Sequence, residues 1–590
     1  MIRHDFGPSY QRRVHKRTII MVFFFFLWFV VLTLRLIQLQ VIDFRHFREA
    51  VTRQSQLERA IVPERGTIYD RHGKILGRSL PVPTVFYLSN DKEPAAVQFD
   101  RVESLKKILS LSAKELAGIK ARIQSGDSFI FVKRKTSREQ ADRIARLNLS
   151  GVHFQEENKR FYPAGTLAAH VLGGVGVDDQ GLAGIELQYN ARLAGVEGRS
   201  LILRDANQRR YDWEVLKAST PGQDLILTLD EIIQYIAERE LEKAIHEHGA
   251  GWGTVIISHP PSGEVLAMAS WPTYDPNDYP PAEREWGRNR AIQQNFEPGS
   301  MFKIVTASAA LETGVVGFGD VFDCREGKIR VAGWTINDHK KMGLLSFPEV
   351  IVHSSNVGTI KVGQRIGPDH LFQMIRAFGF GQKTDIDLPG EEIGIFHSLN
   401  RWSRTSLAAH SIGYEISVTA AQILQAMNVL ANRGMHIPLR ITRKTLNPSG
   451  FNPDAPAGGD RIISEETAAR LNRRVFEEVV VGGTGQAARI EGFRVAGKTG
   501  TSRKLDPHLG VYLAHRHLAS FVGFVPVDRP AISIVVVIDE PKFSPQYGGQ
   551  VAAPVFREIA RRVLLYLGEA PQLDPAQGFV TAQLQNREHR

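Results

Sequence analysis

The sequence contains a single cysteine, Cys324, among its 590 residues. An intrachain disulfide is therefore excluded, and cysteine usage gives no information about the redox compartment. Apart from one segment near the N-terminus, the sequence lacks an apolar span of the length that crosses a bilayer, which predicts a single span. No zinc-finger or RNA-binding signature accompanies the net charge of +10, which is spread along the chain. We therefore do not predict a nucleic acid partner, and a membrane or an acidic polymer is favoured instead.

Residues with metal-binding chemistry are also few. Asp323, Cys324, Asp338 and His339 lie within one short stretch, so a zinc site is conceivable, but their spacing fits no standard zinc motif. We interpret them as a loop with surface acids and one small apolar thiol, and we predict neither a metal site nor a cofactor. A length of 590 residues with 43% hydrophobic content is sufficient for two or three folded domains.

The one long apolar segment lies close to the N-terminus. Residues 18–34 (TIIMVFFFFLWFVVLTL) carry no charge, and the apolar pattern continues, so we predict a transmembrane helix at residues 18–39. Five basic residues and one acid precede it, which predicts a cytoplasmic tail (residues 1–17) and places everything after about residue 40 outside. The absence of a small-residue cleavage site argues against a signal peptide, and four consecutive phenylalanines argue against an amphipathic core helix.

The remaining chain divides into two regions with different sequence patterns, and the boundary lies near Ser219-Thr220-Pro221-Gly222. We expect residues 40–220 to form an elongated, non-catalytic α+β module that begins with a helix from Val41 to about Arg59. Residues 221–570 begin and end with strand-like runs and have a mostly helical middle. This order predicts an α+β domain with an antiparallel sheet, flanked by helices and assembled from segments far apart in sequence. Residues 571–590 are polar, and we expect a flexible tail.

The first motif with catalytic chemistry is Ser300-Met301-Phe302-Lys303. Glu297-Pro298-Gly299 interrupts the chain just before it, and the following segment has helical periodicity. We therefore predict Ser300 in the first turn of a helix and Lys303 one turn further along the same face. A serine hydroxyl needs a base within hydrogen-bond reach. Burial, the helix terminus and a second cation such as Lys498 would lower the pKa of Lys303 enough for it to serve as that base.

Two further motifs follow in the sequence. Ser354-Ser355-Asn356 offers a hydroxyl, that of Ser354, to relay a proton, and an amide, that of Asn356, to hold a peptide carbonyl or Lys303. Lys498-Thr499-Gly500-Thr501 is predicted to be an edge strand with glycines where bulk would obstruct a ligand. Lys498, Thr499, Gly500 and Thr501 would then bind the substrate near its terminal carboxylate, and the backbone N–H groups of Thr501 and Ser300 would form an oxyanion hole.

The order and spacing of the three motifs are those of the S-x-x-K, S-x-N and K-T-G set of β-lactamases and penicillin-binding proteins. Over nearly its whole length the chain resembles a class B penicillin-binding protein, a membrane-anchored D,D-transpeptidase that cross-links peptidoglycan. Further segments carry this resemblance in family order: 65–71 (RGTIYDR), 181–186 (GLAGIE), 228–230 (TLD), 378–381 (FGFG), 388–391 (LPGE), and 548–549 (GG) with 552–554 (AAP).

Two details refine the resemblance. Tyr162-Pro163 followed by Ala168–Gly173, and Asp323-Cys324 ahead of Asp338-His339, look more like the division and sporulation branch (FtsI/SpoVD-like) than the elongation branch. The chain departs from the family at 411–416 (SIGYEI), where Ser-Ile-Gly-Gln-Gly is usual. We expect this departure to affect the shape of a helix N-terminus and not the chemistry.

The resemblance implies a domain organisation, a set of catalytic residues, substrates and partners. Residues 40–220 would be its pedestal (dimerisation-like) domain and residues 221–570 its penicillin-binding transpeptidase domain, held outside the bacterial inner membrane. Ser300, Lys303, Ser354, Asn356 and Lys498 would be catalytic, acting on stem peptides of peptidoglycan or of lipid-linked nascent glycan during septal synthesis. β-Lactams would acylate the same serine. Divisome proteins and a polytopic glycosyltransferase of the FtsW/RodA type would be partners, because residues 41–220 offer no polymerising domain.

Three alternatives are weighed against this interpretation. A β-lactamase needs a group that activates water for deacylation, and no pattern identifies one. An elongation-specific class B protein would share the chemistry but act in a different process. A β-lactam receptor or scaffold could keep Ser300 and lack turnover, and release of D-alanine with an authentic acceptor would separate the two.

Overall fold

The computed structural model describes residues 8–45, 56–90, 92–204, 210–278, 285–443, 458–506, 511–543 and 546–571. The chain forms two compact units. The first unit contains Met1–Pro63 and Gly195–Pro221, and the second contains Glu64–Ala194 and Gly222–Arg590.

The first unit consists of the apolar helix and a small sheet. Helix α1 (Pro8–Ile37) continues as a π-helical turn to Ile42, and Arg12–Ile42 is long and apolar enough to cross a membrane. Strands β1 (Gln56–Ile61), β6 (Gly198–Arg204) and β7 (Arg210–Lys217) form an antiparallel sheet in the order β1-β6-β7. The helix predicted to reach Arg59 is therefore wrong for residues 56–59, because pairing with β6 satisfies their backbone groups. Residues 46–55 lie outside the described part.

The second unit begins with a sheet and three covering helices. The sheet has the order β4-β3-β2-β8, with β5 also paired to β3. A turn at Arg71-His72-Gly73 joins β2 to β3, and Gly73 has a φ of 84° that favours glycine. Leu105 and Leu109, which lie on the first of these helices, are buried in the core between the helices and the sheet. The elements are β2 (Ile68–Tyr69), β3 (Ile75–Leu88), α2 (Ala95–Leu109), α3 (Ala113–Gln124), β4 (Phe129–Lys133), α4 (Arg138–Ala145), β5 (Val152–Phe161), α5 (Ala169–Leu172), α6 (Gly184–Gln188), α7 (Asn190–Leu193) and β8 (Leu225–Ile226).

Two of the family-like segments meet in a buried ionic cluster. Arg65 and Arg160 each approach a carboxylate oxygen of Glu186 to 2.6 Å, and the side chains of all three are at most 2% exposed. Tyr162 also donates a hydrogen bond to Glu186. Removing one member would leave the others buried and uncompensated, which is strongly destabilising. The cluster therefore joins segments 65–71 and 181–186 through side chains rather than through strand pairing.

The third motif lies on a second, five-stranded antiparallel sheet. Its order is β10-β9-β19-β18-β17, so strands from both ends of the region pair in its centre. The expected antiparallel sheet built from distant segments is therefore present. Its strands are β9 (Trp252–His259), β10 (Glu264–Trp271), β17 (Ala496–Leu505), β18 (Tyr512–Val525) and β19 (Ile532–Asp539).

Helices cover both faces of this sheet. Val255 and Ile257 of β9 belong to one apolar core together with helices α8 (Glu231–His248) and α18 (Gly548–Leu567). Ile256, between them, belongs to a second core with helix α15 (Ala420–Ala431). The strict alternation of side chains along a strand thus divides one apolar run between two cores, and the sheet is buried on both faces.

The middle of the chain supplies the remaining elements around the second core. They are α9 (Arg290–Gln293), α10 (Lys303–Glu312), β11 (Val321–Asp323), β12 (Lys328–Val331), β13 (Trp334–Asn337), β14 (Leu344–Ser346), α11 (Phe347–Val352), α12 (Asn356–Ile366), α13 (Pro368–Ala377), α14 (Ser406–Ser411), β15 (Met435–His436), β16 (Asp460–Arg461), α16 (Glu465–Leu471) and α17 (Glu477–Val481).

Candidate active site

Ser300 lies in a tight turn between a glycine and a buried helix. Gly299–Phe302 form a 3₁₀ turn, and α10 begins at Lys303. The prediction that Ser300 occupies the first turn of a helix is therefore correct in outline, with a 3₁₀ turn in place of an α-helical one. Ser300 is partly exposed, whereas Met301 and Phe302 are buried. Two apolar neighbours thus anchor the turn and leave the hydroxyl accessible.

A second loop holds the serine turn in place. The Gly299 N–H donates to the carbonyl of Gly413 at 3.0 Å. Gly413 has a φ of 80°, and a Cβ atom there would lie 2.2 Å from the Gly299 oxygen. Only glycine fits this position. The position of the serine turn therefore depends on a loop more than a hundred residues further along the chain.

Lys303 is fully buried and directed toward the second motif. Its Nζ donates hydrogen bonds to the Ser354 carbonyl at 2.8 Å, to Ser354 Oγ at 3.2 Å and to Asn356 Oδ1 at 2.9 Å. Three acceptors match the three N–H groups of an ammonium. Burial nevertheless lowers the pKa of Lys303 to about 7, because water no longer stabilises the charge.

Ser354 lies at the junction of two helices in a strained conformation. It follows α11, and α12 begins at Asn356. Its φ of 57° is in the left-handed region, which is uncommon for a residue with a side chain. Both its carbonyl and its hydroxyl are acceptors for Lys303. We attribute the strain to this requirement, as is frequent at functional sites.

Lys498 approaches the same hydroxyl from the sheet. Its Nζ donates to Ser354 Oγ at 3.0 Å and to the Thr499 carbonyl at 3.3 Å. Burial, and secondarily the charge of Lys303, lower the pKa of Lys498 well below its usual value. The three motifs predicted to converge do so, because the first and last lysines share the hydroxyl of the second motif.

Strand β17 forms one edge of its sheet, as the sequence predicts. Thr501 Oγ1 accepts a hydrogen bond from the Gly548 N–H at 3.0 Å, so its own proton remains available to a ligand. Thr499 Oγ1 lies 2.7 Å from Thr484 Oγ1. The backbones of Ser300 and Thr501 lie close together, because a Cβ added to Gly299, the residue before Ser300, would lie 3.1 Å from the Thr501 carbonyl oxygen.

The glycines of this strand are required by packing within the protein. A Cβ at Gly500 would lie 2.3 Å from Ser520 Oγ and 2.8 Å from Met301 Cγ. A Cβ at Gly497 would lie 2.4 Å from a carbon of the Phe521 ring. Bulk at either position would therefore collide with the protein itself. At Gly500, the absence of a side chain allows the serine turn to rest on the sheet.

The stretch considered for zinc is engaged in other contacts. Asp323 forms an ion pair with Arg325 at 2.7 Å, and Cys324 is fully buried. Asp338 is not simply a surface acid, because its carboxylate accepts hydrogen bonds from Ser355 and from the first residues of α12. The sequence argument missed its place beneath the second motif, although Asp338-His339 is one of the pairs that carry the family resemblance.

Glu297 is a second residue that the sequence argument missed. It precedes Ser300 by three residues, and its Oε1 accepts hydrogen bonds from Tyr512 Oη at 3.0 Å and from the Glu415 N–H at 3.1 Å. Burial raises its pKa to about 6. The carboxylate thus connects the serine turn to strand β18 and to the loop after α14.

The departure at 411–416 lies at the end of a helix, so the expected helix N-terminus is wrong. Helix α14 ends at Ser411, and Gly413 and Glu415 both have positive φ values. Glu415 has a φ of 56° at a position where the family usually has glycine. Its N–H donates to Glu297, which provides a local partner for the strained backbone.

Comparisons with known proteins agree with this geometry. A profile of the penicillin-binding protein transpeptidase domain matches residues 253–561, and one of the penicillin-binding protein dimerisation domain matches residues 60–227. Stage V sporulation protein D of Bacillus subtilis is 34% identical over 95% of this chain and 87% of its own length. Peptidoglycan D,D-transpeptidase FtsI of Escherichia coli is 33% identical over 86% of this chain and 84% of its own length.

A solved structure extends the comparison to the fold. Penicillin-binding protein 3 from Mycobacterium tuberculosis, complexed with aztreonam, superposes with a TM-score of 0.68 at 28% identity. The match covers 87% of this chain and 99% of that one. With the serine turn, the two buried lysines and the shared hydroxyl in place, the chain belongs to the class B penicillin-binding proteins.

Proposed function

We propose that the protein is a peptidoglycan D,D-transpeptidase of septal cell-wall synthesis, acting through an acyl-enzyme on Ser300 and inhibited covalently by β-lactams. The observation that carries this proposal is the Ser354 hydroxyl, which both Lys303 and Lys498 contact next to the serine turn. The names of the relatives, a sporulation protein and a D,D-transpeptidase, support the reaction and the process.

The first half of the reaction is acylation. Ser300 Oγ attacks the carbonyl carbon between two D-alanines of a stem peptide, and its proton passes to neutral Lys303. The backbone N–H groups of Ser300 and Thr501 stabilise the negative charge that develops on the carbonyl oxygen. The C–N bond then breaks, and the proton reaches the leaving amine of D-alanine through Ser354. Lys498, Thr499, Gly500 and Thr501 hold the terminal carboxylate.

The second half transfers the acyl group. The amine of a neighbouring stem peptide attacks the ester carbonyl, its proton is taken up at the lysine, and Ser300 Oγ leaves and is reprotonated. The result is a new peptide bond and a regenerated serine. A β-lactam follows the first half only, because its leaving group stays tethered and occupies the position of the acceptor.

Acylation with a fluorescent penicillin tests the roles of Ser300 and Lys303. We expect Ser300→Ala and Lys303→Ala to abolish covalent labelling, and mass spectrometry of the wild type to place the adduct on Ser300. Ser308→Ala is the matched control, because its hydroxyl lies on the same helix and bonds only the Ile304 carbonyl among described contacts. Full labelling of Lys303→Ala would refute the general-base role.

Turnover separates an enzyme from a β-lactam receptor or scaffold. We expect the protein to release D-alanine from stem peptides and to form cross-links when an acceptor amine is supplied. Labelling with penicillin but no release of D-alanine under these conditions would favour the receptor. Cell shape on depletion decides between branches, with filaments expected for division and spheres for elongation.

The membrane topology is part of the proposal. The basic tail at residues 1–17 would remain in the cytoplasm and residues 18–39 would span the inner membrane, with residues 40–220 as pedestal and 221–570 as transpeptidase domain outside. Residues 571–590, a flexible tail in this proposal, lie mostly beyond the described part. Protease added to spheroplasts should digest the catalytic domain and leave a tag at the N-terminus intact.

Partners follow from what this chain would need. A polytopic glycosyltransferase of the FtsW/RodA type would supply nascent glycan strands, and divisome proteins would direct the enzyme to the septum. We expect the full-length protein to co-purify with such a glycosyltransferase from membranes, and a variant in which an unrelated apolar helix replaces residues 18–39 to lose that association.

A further inference from the structure

We propose that Asp338 is a positioning residue for acylation: it holds Ser355 and Asn356 so that Asn356 meets Lys303, and its negative charge acts on that buried lysine. This inference rests on the proposed role of Lys303 as the general base. It concerns a residue whose chemistry the sequence makes visible but whose partners lie 17 to 19 residues away.

Both carboxylate oxygens of Asp338 accept hydrogen bonds from residues at the beginning of α12. Asp338 directly follows β13, and its Oδ1 accepts hydrogen bonds from the backbone N–H groups of Asn356 at 2.5 Å and Val357 at 3.0 Å. Its Oδ2 accepts from Ser355 Oγ at 2.8 Å. Both carboxylate oxygens therefore bind groups at a helix N-terminus, where unpaired N–H groups and the helix dipole favour an anion.

Asn337, the residue before Asp338, fixes the orientation of the Asn356 side-chain amide. Asn356 Nδ2 donates to the Asn337 carbonyl at 3.1 Å, and Asn356 Oδ1 accepts from Lys303 Nζ at 2.9 Å. The carbonyl of Asn337 can only accept, so the donor side of the amide must face it. The acceptor side of Asn356 is thereby directed toward the lysine.

Ser355 transmits the same constraint to Ser354. Its hydroxyl is fully buried, accepts a hydrogen bond from the Gly358 N–H at 2.9 Å and donates to Asp338. Ser354, its neighbour, has the strained backbone that presents a carbonyl and a hydroxyl to Lys303. Asp338 therefore supports both residues whose side chains contact the lysine from this side.

The charge of Asp338 acts on Lys303 directly. The ionisable groups facing Lys303 from neighbouring elements are Lys498 of β17 and Asp338 of the loop after β13. Burial lowers the pKa of Lys303, and the Asp338 carboxylate opposes this effect. Replacing the carboxylate by a neutral group should therefore lower the pKa further and keep the lysine neutral at more acidic pH.

The test is the pH dependence of acylation of the full-length protein in detergent by a fluorescent penicillin. Asp338→Asn keeps the shape and one acceptor oxygen but removes the charge. We therefore expect the acidic limb of the profile of acylation rate against pH to move to lower pH by about half to one pH unit. Asp338→Ala removes the hydrogen bonds of the carboxylate as well, and we expect its acylation rate constant to fall by about tenfold or more at every pH. A role in folding alone would change the amount of active protein without moving the limb.

Asp323→Asn is the matched control, since Asp323 lies in the same region and pairs with exposed Arg325 instead of the second motif. A limb that does not move in Asp338→Asn relative to Asp323→Asn, or that moves to higher pH, would overturn the proposal. If Asp338→Ala does not fold, Asp338→Asn decides alone. Lys303→Ala in the same assay reports separately on the general base: its full activity would refute the proposed function's use of Lys303, whatever Asp338 does.

Discussion

The oxygen of the Ser354 hydroxyl accepts hydrogen bonds from two buried lysines at 3.0 and 3.2 Å. Each lysine loses hydration on burial, and neither has an acidic side chain among its described hydrogen-bond partners. Buried amines without such a partner favour the neutral form. The same environment that makes the site costly to form thus prepares a base for proton transfer.

Acylation should therefore depend on pH through Lys303. Because the base must be neutral and its pKa is about 7, the acylation rate constant should rise as the pH increases through about 7 and fall at more acidic pH. Stopped-flow measurement with a fluorescent penicillin between pH 5 and 9, chosen to span about two units around that value, would show this. A flat profile across that interval would contradict the assignment.

Glu297 gives a prediction about stability. Its pKa is raised to about 6 in the folded protein, so the ionised carboxylate destabilises the fold, and stability is lost as the pH rises through about 4.5 to 6. Glu297→Gln should leave unfolding unchanged near pH 4 and stabilise the protein by about 1 kcal/mol above pH 6.5. Denaturant unfolding at both pH values checks this, and equal midpoints at the higher pH would refute it.

At the scale of single residues, the sequence predicts the candidate catalytic side chains but not the residues that hold them in position. Ser300, Lys303, Ser354 and Lys498 could be named because their chemistry requires particular residue types in short motifs. Asp338 and Glu297 contribute through contacts across 17 and 215 residues. No local pattern marks such contacts, since aspartate and glutamate are common surface residues.

At the scale of elements, the serine turn is stabilised by close backbone approach. The turn contacts the Gly413 loop on one side and the edge strand at Gly500 on the other. Both contacts require the absence of a side chain. The sequence predicted the edge strand correctly but not this contact, because a clash between two elements is invisible until both are placed.

Gly413→Ala should therefore impair acylation more than its local strain explains. Gly413 and Gly314 both have positive φ values, 80° and 70°, but a Cβ at Gly413 collides with the Gly299 oxygen, whereas one at Gly314 meets nothing within 4 Å. Each alanine should cost about 1 kcal/mol in backbone strain. Only Gly413→Ala should also lower the acylation rate, by about tenfold or more. Comparable acylation rates in the two variants would show that the serine turn tolerates displacement.

At the scale of the whole molecule, the catalytic sheet combines strands from positions 252–271 with strands from 496–539. The sequence predicted this arrangement because its strand-like runs lie at both ends of the region. It did not predict that residues 64–194 would cluster with the catalytic region in one compact unit. Contacts such as the hydrogen bond from Tyr189 Oη to the Asp387 carboxylate, at 2.8 Å, join the two regions without any periodic signal.

Helix α18 should be essential to the second unit. Phe556 is fully buried and packs edge to face on Phe521 of strand β18, with ring centroids 4.8 Å apart. Phe556→Ala should lower the free energy of unfolding by about 3–5 kcal/mol. Leu565→Ala, on the same helix but 76% exposed, is the control and should change it little. Similar unfolding midpoints for the two variants would contradict this assignment of the core.

The pairing of β19 with β9 has a consequence for the newly made protein. Ser300 is synthesised long before Lys498, and strand β17, which carries Lys498, joins the sheet only through β18 and β19. A chain that ends before these strands therefore contains Ser300 without the contact between Lys498 and Ser354. The three motifs can meet only once the last strands of the sheet have been synthesised.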